Sequence, residues 1–126
     1  MKIIRYLIAA DCDVNIQGPE GMTVLHMAAM RGDTDVCDLL LNEGRANVDP
    51  RDHGGWTPLV WAAEHKHVRT VRLLLSKGAN ALAKDLEGNG AIHWCALAGD
   101  SNVLKLLLDA APLALHQTNA HQDTPL

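Results

Sequence analysis

The chain has 126 residues, a formal net charge of −4 and 48% hydrophobic residues, and its aromatic residues are three Trp and one Tyr, with no Phe. The acidic balance argues against nucleic acid as a direct partner, because phosphates require an excess of Lys and Arg, and it favours a basic partner. No apolar run approaches the roughly 20 residues of a membrane span, so no membrane partner is predicted. Cys12, Cys37 and Cys95 form no close pair, which indicates reduced thiols in a soluble intracellular protein.

The chain repeats itself with a period of 33 or 34 residues. One half of the unit recurs at Thr23–Ala29, Thr57–Ala63, Gly90–Ala96 and Thr124–Leu126. The other half carries a Leu-rich run and recurs at Ile4–Ile8, Val36–Gly44, Thr70–Gly78 and Val103–Ala110. This period, with Thr-Pro-Leu followed by Ala-Ala, resembles the ankyrin repeat. The resemblance implies an all-α fold, an ankyrin repeat solenoid of helix-turn-helix units with finger loops.

The predicted units form a single ankyrin repeat array over residues 1–126. It comprises a partial repeat at 1–20, repeats at about 21–54, 55–87 and 88–121, and the start of another repeat at 122–126. Because both ends fall inside a repeat, we expect the chain to be a fragment of a larger protein. Thr57 followed by Pro58 predicts a helix start. Gly32 and Gly99 predict helix ends, and Lys66 holds that place in the middle unit.

Catalytic, metal and cofactor sites are not predicted. His26 and His93 belong to the repeat signature, while His65 and His67 are two residues apart at a helix end and are expected to point to different faces. No spacing typical of a zinc site occurs. The chain also lacks a phosphate-binding loop and a nucleophile elbow, and Gly54 with Gly55 indicates a finger turn. The sequence therefore predicts a chain that is not an enzyme.

The tryptophans are the most informative candidates for function. Trp61 and Trp94 hold the same place in adjacent units, Trp56 precedes the helix cap, and Glu64 lies three residues after Trp61. We expect Trp61 and Trp94 to face each other across a slot, with the finger from Lys84 to Gly90 as its wall. Indole faces beside a carboxylate attract a methylated ammonium group. The alternative is that these tryptophans only pack between neighbouring units, since another large apolar residue, Met27, holds the equivalent place in the first unit.

The segments Gly54–His67, Leu73–Gly78 and Ile92–Trp94 resemble the ankyrin domain of the euchromatic histone-lysine methyltransferases, the GLP family. That family binds mono- and dimethylated lysine at the ninth position of the histone H3 tail in an aromatic cage. The resemblance implies a nuclear, chromatin-bound parent protein with a lysine methyltransferase domain outside this segment. It implies the following assignments: Trp56, Trp61 and Trp94 as cage walls, Glu64 as the cage carboxylate, and Glu87 and Asp123 as residues that hold the flanking peptide.

Two departures from the family concern the peptide contacts more than the cage: Gly88 stands where the family is more acidic, and an extra residue at 111–113 shifts the finger that bears Asp123. A rival hypothesis stays open at this point. In that hypothesis the chain is a generic ankyrin scaffold for a folded protein partner, with the tryptophans spread along its face as binding hot spots.

Overall fold

The structure is a computed structural model and describes residues 14–110. That part of the chain forms six α-helices, preceded by a short 3-10 turn at Pro19–Gly21. The helices are, in chain order, α1 Val24–Arg31, α2 Thr34–Asn42, α3 Pro58–Glu64, α4 Val68–Ser76, α5 Ala91–Ala98 and α6 Ser101–Ala110. The predicted all-α repeat fold is confirmed. Cys12, Asp123 and the start of a repeat at Thr124 lie outside the described residues.

Threonine side chains cap the first helix of the first and second units, whereas Gly90, at the same place in the third unit, makes no side-chain cap bond. Thr23 accepts a hydrogen bond from the amide of His26 at 3.3 Å and donates its own amide to His26 Nδ1 at 3.0 Å. In the second unit the Thr57 hydroxyl accepts from the Val60 amide at 3.4 Å, and Pro58 follows the cap. These bonds satisfy amides that have no partner inside the helix, so the predicted helix starts are confirmed.

The same helices end in left-handed backbone. Gly32 and Gly99 have φ of 75° and 78°, as expected of terminating glycines, and Lys66 has φ of 64° in the middle unit. A side chain at positive φ costs free energy that Gly avoids. At this helix end the middle unit therefore carries a backbone strain that Gly32 and Gly99 avoid in the other two units.

The helices stack in two rows that share one core. α1 packs on α3 and α3 on α5 in one row, while α2 packs on α4 and α4 on α6 in the other. Each helix also packs on its partner within the unit. Leu25, Leu59 and Ile92 hold equivalent places and are fully buried. Because each unit buries its apolar face only against its neighbours, the core is continuous along the stack.

Each finger is counted from here on with the helix pair that follows it, so residues 18, 52 and 85 lie in the fingers of the first, second and third units. The three fingers share one backbone hydrogen bond. The amide of residue 18, 52 or 85 donates to the carbonyl four residues later, at 2.8, 3.0 and 2.8 Å. In the third finger Lys84 and Gly90 also form an antiparallel bridge, where the sequence analysis expected the finger to begin and end. The first unit makes this bond with Gly18, so the finger closes without an acidic side chain.

The expectation for His65 and His67 was wrong. Their ring centroids lie 6.1 Å apart with an interplanar angle of 19°, so the two rings share one face. The reason is that α3 ends at Glu64 and Lys66 turns into left-handed backbone. Helical spacing therefore does not apply between the two histidines.

Within residues 14–110, no helix is long and apolar enough to cross a membrane.

Candidate functional site

The three indole rings lie together at the base of the fingers. Trp56 comes from the second finger, Trp61 from α3 and Trp94 from α5. The ring centroid of Trp56 is 4.5 Å from that of Trp61 and 4.7 Å from that of Trp94, with interplanar angles of 51° and 46°. Each side chain is partly exposed. The expected slot between Trp61 and Trp94 is thus a cluster in which Trp56 contacts both other rings, and none of the three is sealed from solvent.

Asp52 connects the second finger to two of these tryptophans. Its Oδ2 accepts the indole N–H of Trp61 at 2.9 Å, and its Oδ1 accepts the backbone amide of Trp56 at 2.9 Å and that of Gly54 at 3.0 Å. The Trp56 carbonyl in turn accepts from Nε2 of His26 at 2.8 Å. Trp56 is therefore held by hydrogen bonds from two units.

Asp85 repeats this arrangement one unit later. Its Oδ2 accepts the indole N–H of Trp94 at 3.0 Å, and its Oδ1 accepts the amides of Glu87 and Asn89, each at 2.9 Å. The Asp85 side chain is only 6% exposed. Neither aspartate was predicted as a site residue from the sequence. The signal was present, because Asp52 precedes Trp61 by the same nine residues that separate Asp85 from Trp94.

The predicted acidic residues have other surroundings. Glu64 ends α3, and its Oε2 lies 2.7 Å from Nδ1 of His65, an ion pair when that ring is protonated. The His65 ring centroid is 5.8 Å from that of Trp61, so the pair adjoins the indole cluster. Glu87 is exposed in the third finger, and its amide contacts Asp85. Asp123 lies outside the described residues, so its predicted peptide contact stays a prediction.

A surface cleft of about 330 Å³ opens beside the indole cluster. Its lining residues are Glu20, Asp52, His53, Gly54, Trp56 and Trp61, so two of the predicted site residues, Trp94 and Glu64, lie outside it. Aromatic faces and carboxylates on one concave surface favour an organic cation over an anion. The cleft therefore has the chemistry expected of a site for a basic side chain.

Nucleophilic and metal chemistry find no support in residues 14–110. Burial raises the pKa of the Cys37 thiol to about 12 and that of Cys95 to about 11, so both are protonated at neutral pH. No group of three or more His, Cys, Asp or Glu residues within that part of the chain is arranged to hold a metal ion. What the site can do is bind, through aromatic faces and negative charge.

Comparison with protein families identifies the class of protein. A family of ankyrin repeats in three copies matches residues 1–85, and a further ankyrin repeat matches residues 87–119. The chain belongs to the ankyrin repeat family. It is a non-catalytic ankyrin repeat domain, a module of the kind that mediates protein–protein interaction.

The curated relatives are diverse ankyrin proteins. The chain is 35% identical over 96 residues to E3 ubiquitin-protein ligase KEG of Arabidopsis thaliana, covering 75% of this chain and 6% of that protein. It is 38% identical over 106 residues to human SH3 and multiple ankyrin repeat domains protein 2, with coverage of 83% and 6%. It is 35% identical over 116 residues to the mouse B-cell lymphoma 3 protein homolog, with coverage of 90% and 25%. None of these three is a histone methyltransferase, so the resemblance to the GLP family stays a prediction.

Proposed function

We propose that this ankyrin domain is a methyl-lysine reader that binds mono- or dimethylated lysine at the ninth position of the histone H3 tail. The observation that carries the proposal is the convergence of Trp56, Trp61 and Trp94, from two stacked units, into one partly exposed cluster. The resemblance to the GLP family supports the choice of peptide, and it supports a nuclear parent protein that regulates chromatin and has a methyltransferase domain elsewhere.

The chemistry of the cluster suits a methylated ammonium group. The face of an indole ring is negative, and its attraction for a cation grows when the cation has been stripped of water. Methylation weakens the hydration of the lysine ammonium, so the methylated forms are less costly to desolvate. Asp52 and Asp85 add negative charge at the ring edges. A basic histone tail also complements the chain's net charge of −4.

Selectivity for the middle methylation states follows from Glu64. Mono- and dimethylammonium keep at least one N–H, which can donate a charge-assisted hydrogen bond to a carboxylate, whereas trimethylammonium has no donor. Glu64 lies three residues after Trp61 and its side chain is 38% exposed, so a ligand can reach it. Its contact with His65 competes with the ligand for the carboxylate.

Titration of labelled H3 tail peptides in the four methylation states into the complete chain tests the proposal. We expect the mono- and dimethylated peptides to bind most tightly, and Trp61→Ala to abolish that binding. Met27→Ala is the matched control, because Met27 holds the equivalent place in the first unit and is 42% exposed. Equal affinity for all four peptides, or equal losses in the two variants, would contradict the proposal.

Glu64→Gln tests the role of the carboxylate separately. The substitution keeps the shape of the side chain but removes its charge, so the bond from the ammonium N–H weakens. We expect dimethyl-lysine affinity to fall by about fivefold to tenfold, in keeping with the difference between charged and neutral hydrogen bonds. Trimethyl-lysine affinity should change less. An unchanged preference between the two peptides would remove Glu64 from the mechanism.

The rival function is a generic scaffold for a folded partner. Two exposed apolar side chains favour it, since Leu86 at the third finger is 73% exposed and Leu97 at the end of α5 is 80% exposed. A hot-spot surface of this kind would bind without regard to lysine methylation. The same titration therefore separates the two functions.

A further inference from the structure

We infer that Asp52 and Asp85 are positioning residues of the cation site: they orient the indoles of Trp61 and Trp94 and strengthen the attraction of those rings for a positive charge. This inference rests on the proposed function. It assigns the two carboxylates a role in selecting a cation over a neutral side chain of the same shape.

A hydrogen bond at the Nε1 edge restricts the orientation of the Trp61 ring and of the Trp94 ring. Trp61 and Trp94 donate their indole N–H groups to Asp52 and Asp85 at 2.9 and 3.0 Å. A ring held at its Nε1 edge and attached through its Cβ cannot turn its face away without breaking that bond. The face that remains exposed is therefore presented to a ligand in one fixed orientation, which lowers the entropy lost on binding.

The partners of both carboxylates are all N–H donors. Each aspartate accepts two backbone amides on Oδ1 and one indole N–H on Oδ2. Only a side chain with two acceptor oxygens can accept all three of these N–H donors. Asn has the same shape, but its NH₂ would face a donor on one side. A side chain with two acceptor oxygens therefore fits both positions better than an amide does.

The first unit shows that the finger itself does not require the carboxylate. Gly18 holds the place of Asp52, and its amide still donates to the Met22 carbonyl at 2.8 Å. That same unit has Met27 in the place of Trp61. Within the described units, the aspartate is present where the indole is present and absent where it is absent. Oδ1 of each aspartate holds amides of its own finger, so the carboxylate serves the finger turn and the indole together. The first unit, which has no indole, closes its finger without it.

The charge also acts on the ring face. A carboxylate at the N–H edge polarises the indole and makes its face more negative, and the effect is stronger away from water. Asp85 is 6% exposed, so its field is poorly screened. A cation on the ring face gains from this field, whereas a neutral ligand of the same size gains nothing.

The test compares two H3 tail peptides, one with dimethyl-lysine and one in which carbon replaces the side-chain nitrogen. For Asp52→Asn and Asp85→Asn we expect the dimethyl-lysine peptide to lose about fivefold or more in affinity, and the neutral peptide less than twofold. Asp109→Asn, on the exposed face of α6, is the control for the loss of one charge and should change neither. Equal losses for both peptides in the Asp52 and Asp85 variants would overturn the inference and leave a purely structural role.

A second measurement needs no ligand. In ¹H–¹⁵N spectra of the complete chain, Asp85→Asn should shift the indole N–H resonance of Trp94 upfield and leave that of Trp61 in place, and Asp52→Asn should do the reverse. Unmoved resonances would overturn the inference, as would failure of both variants to fold. If the wild-type chain binds no methylated peptide but the resonances shift as expected, the proposed function fails while the positioning of the rings stands.

Discussion

The first unit and the second unit share a helix pair and a finger bond but carry different surfaces. Both close their finger with the same amide-to-carbonyl bond, from Gly18 to Met22 at 2.8 Å and from Asp52 to Trp56 at 3.0 Å. The finger of the first unit has Gly18 and Met22 at the places where that of the second has the carboxylate of Asp52 and the indole of Trp56. The repeat thus needs its period and its small buried residues, and it leaves finger positions free for binding chemistry.

The comparison extends to the third unit, which shares only part of the chemistry of the second. It has Trp94 and Asp85, but Asn89 stands where the second unit has Trp56, and exposed Leu97 stands where the second unit has Glu64. Three of the four groups proposed to hold a methylated ammonium therefore belong to the second unit, and the third unit contributes one wall, Trp94.

The largest effect is expected in the shared framework. Leu59→Ala removes a fully buried side chain from the middle of the stack, so the free energy of unfolding should fall by about 2–5 kcal/mol. Leu97→Ala removes an 80% exposed side chain and should change it by less than about 0.5 kcal/mol. Urea unfolding followed by circular dichroism measures both. Similar losses in the two variants would mean that the core does not lie where the structure places it.

The next effect concerns binding. Trp56→Ala removes the ring that contacts both other indoles, and we expect dimethyl-lysine affinity to fall by about 30-fold, equivalent to about 2 kcal/mol for a desolvated cation–π contact. Met22→Ala, at the same place in the first finger, is the control and should leave the affinity unchanged. Peptide titration measures both. A loss of the same size in the control would assign the effect to the finger and not to the indole.

A smaller effect depends on pH. Burial lowers the pKa of His26 below its usual 6.5, against the opposing effects of its bond to the Trp56 carbonyl and of the charge of Asp52. The unfolded chain therefore takes up this proton first as the pH falls. The contribution of neutral His26 to the free energy of unfolding is fully present above pH 6.5. It is lost as the pH falls from 6.5 to the lower pKa of the folded state, by at most about 1.4 kcal/mol per pH unit. Urea midpoints across that range should fall less in His26→Gln, and an identical pH dependence would exclude His26 as the cause.

The smallest effect is at the end of the first helix of each unit. Lys66→Gly should stabilise the chain by about 0.5 kcal/mol, because Gly removes the strain of left-handed backbone but adds entropy to the unfolded state. The reverse change, Gly32→Ala, should destabilise it, since a Cβ there would lie 2.6 Å from Nδ1 of His67. Thermal unfolding compares the two. Destabilisation by Lys66→Gly would show that the lysine side chain contributes more than its backbone costs.

Most of the framework could be predicted from the sequence, because its determinants are local. The Thr23 and Thr57 caps and the Gly32 and Gly99 ends depend on residues a few positions apart. The prediction for His65 and His67 was wrong because Lys66, which lies between them, is left-handed, so the helical spacing does not continue from one histidine to the other.

The period and the helix-terminating residues by themselves determined the repeat, the order of the helices and the placing of the tryptophans in adjacent units. Tertiary structure decided that Trp56 contacts both other rings, and that Asp52 and Asp85 accept the indole N–H groups. The physical reason is that a side chain in a finger meets a side chain in a helix only after the finger folds back over it. Spacing along the chain fixes which residues are equivalent, but only the folded loop sets the distances between their atoms.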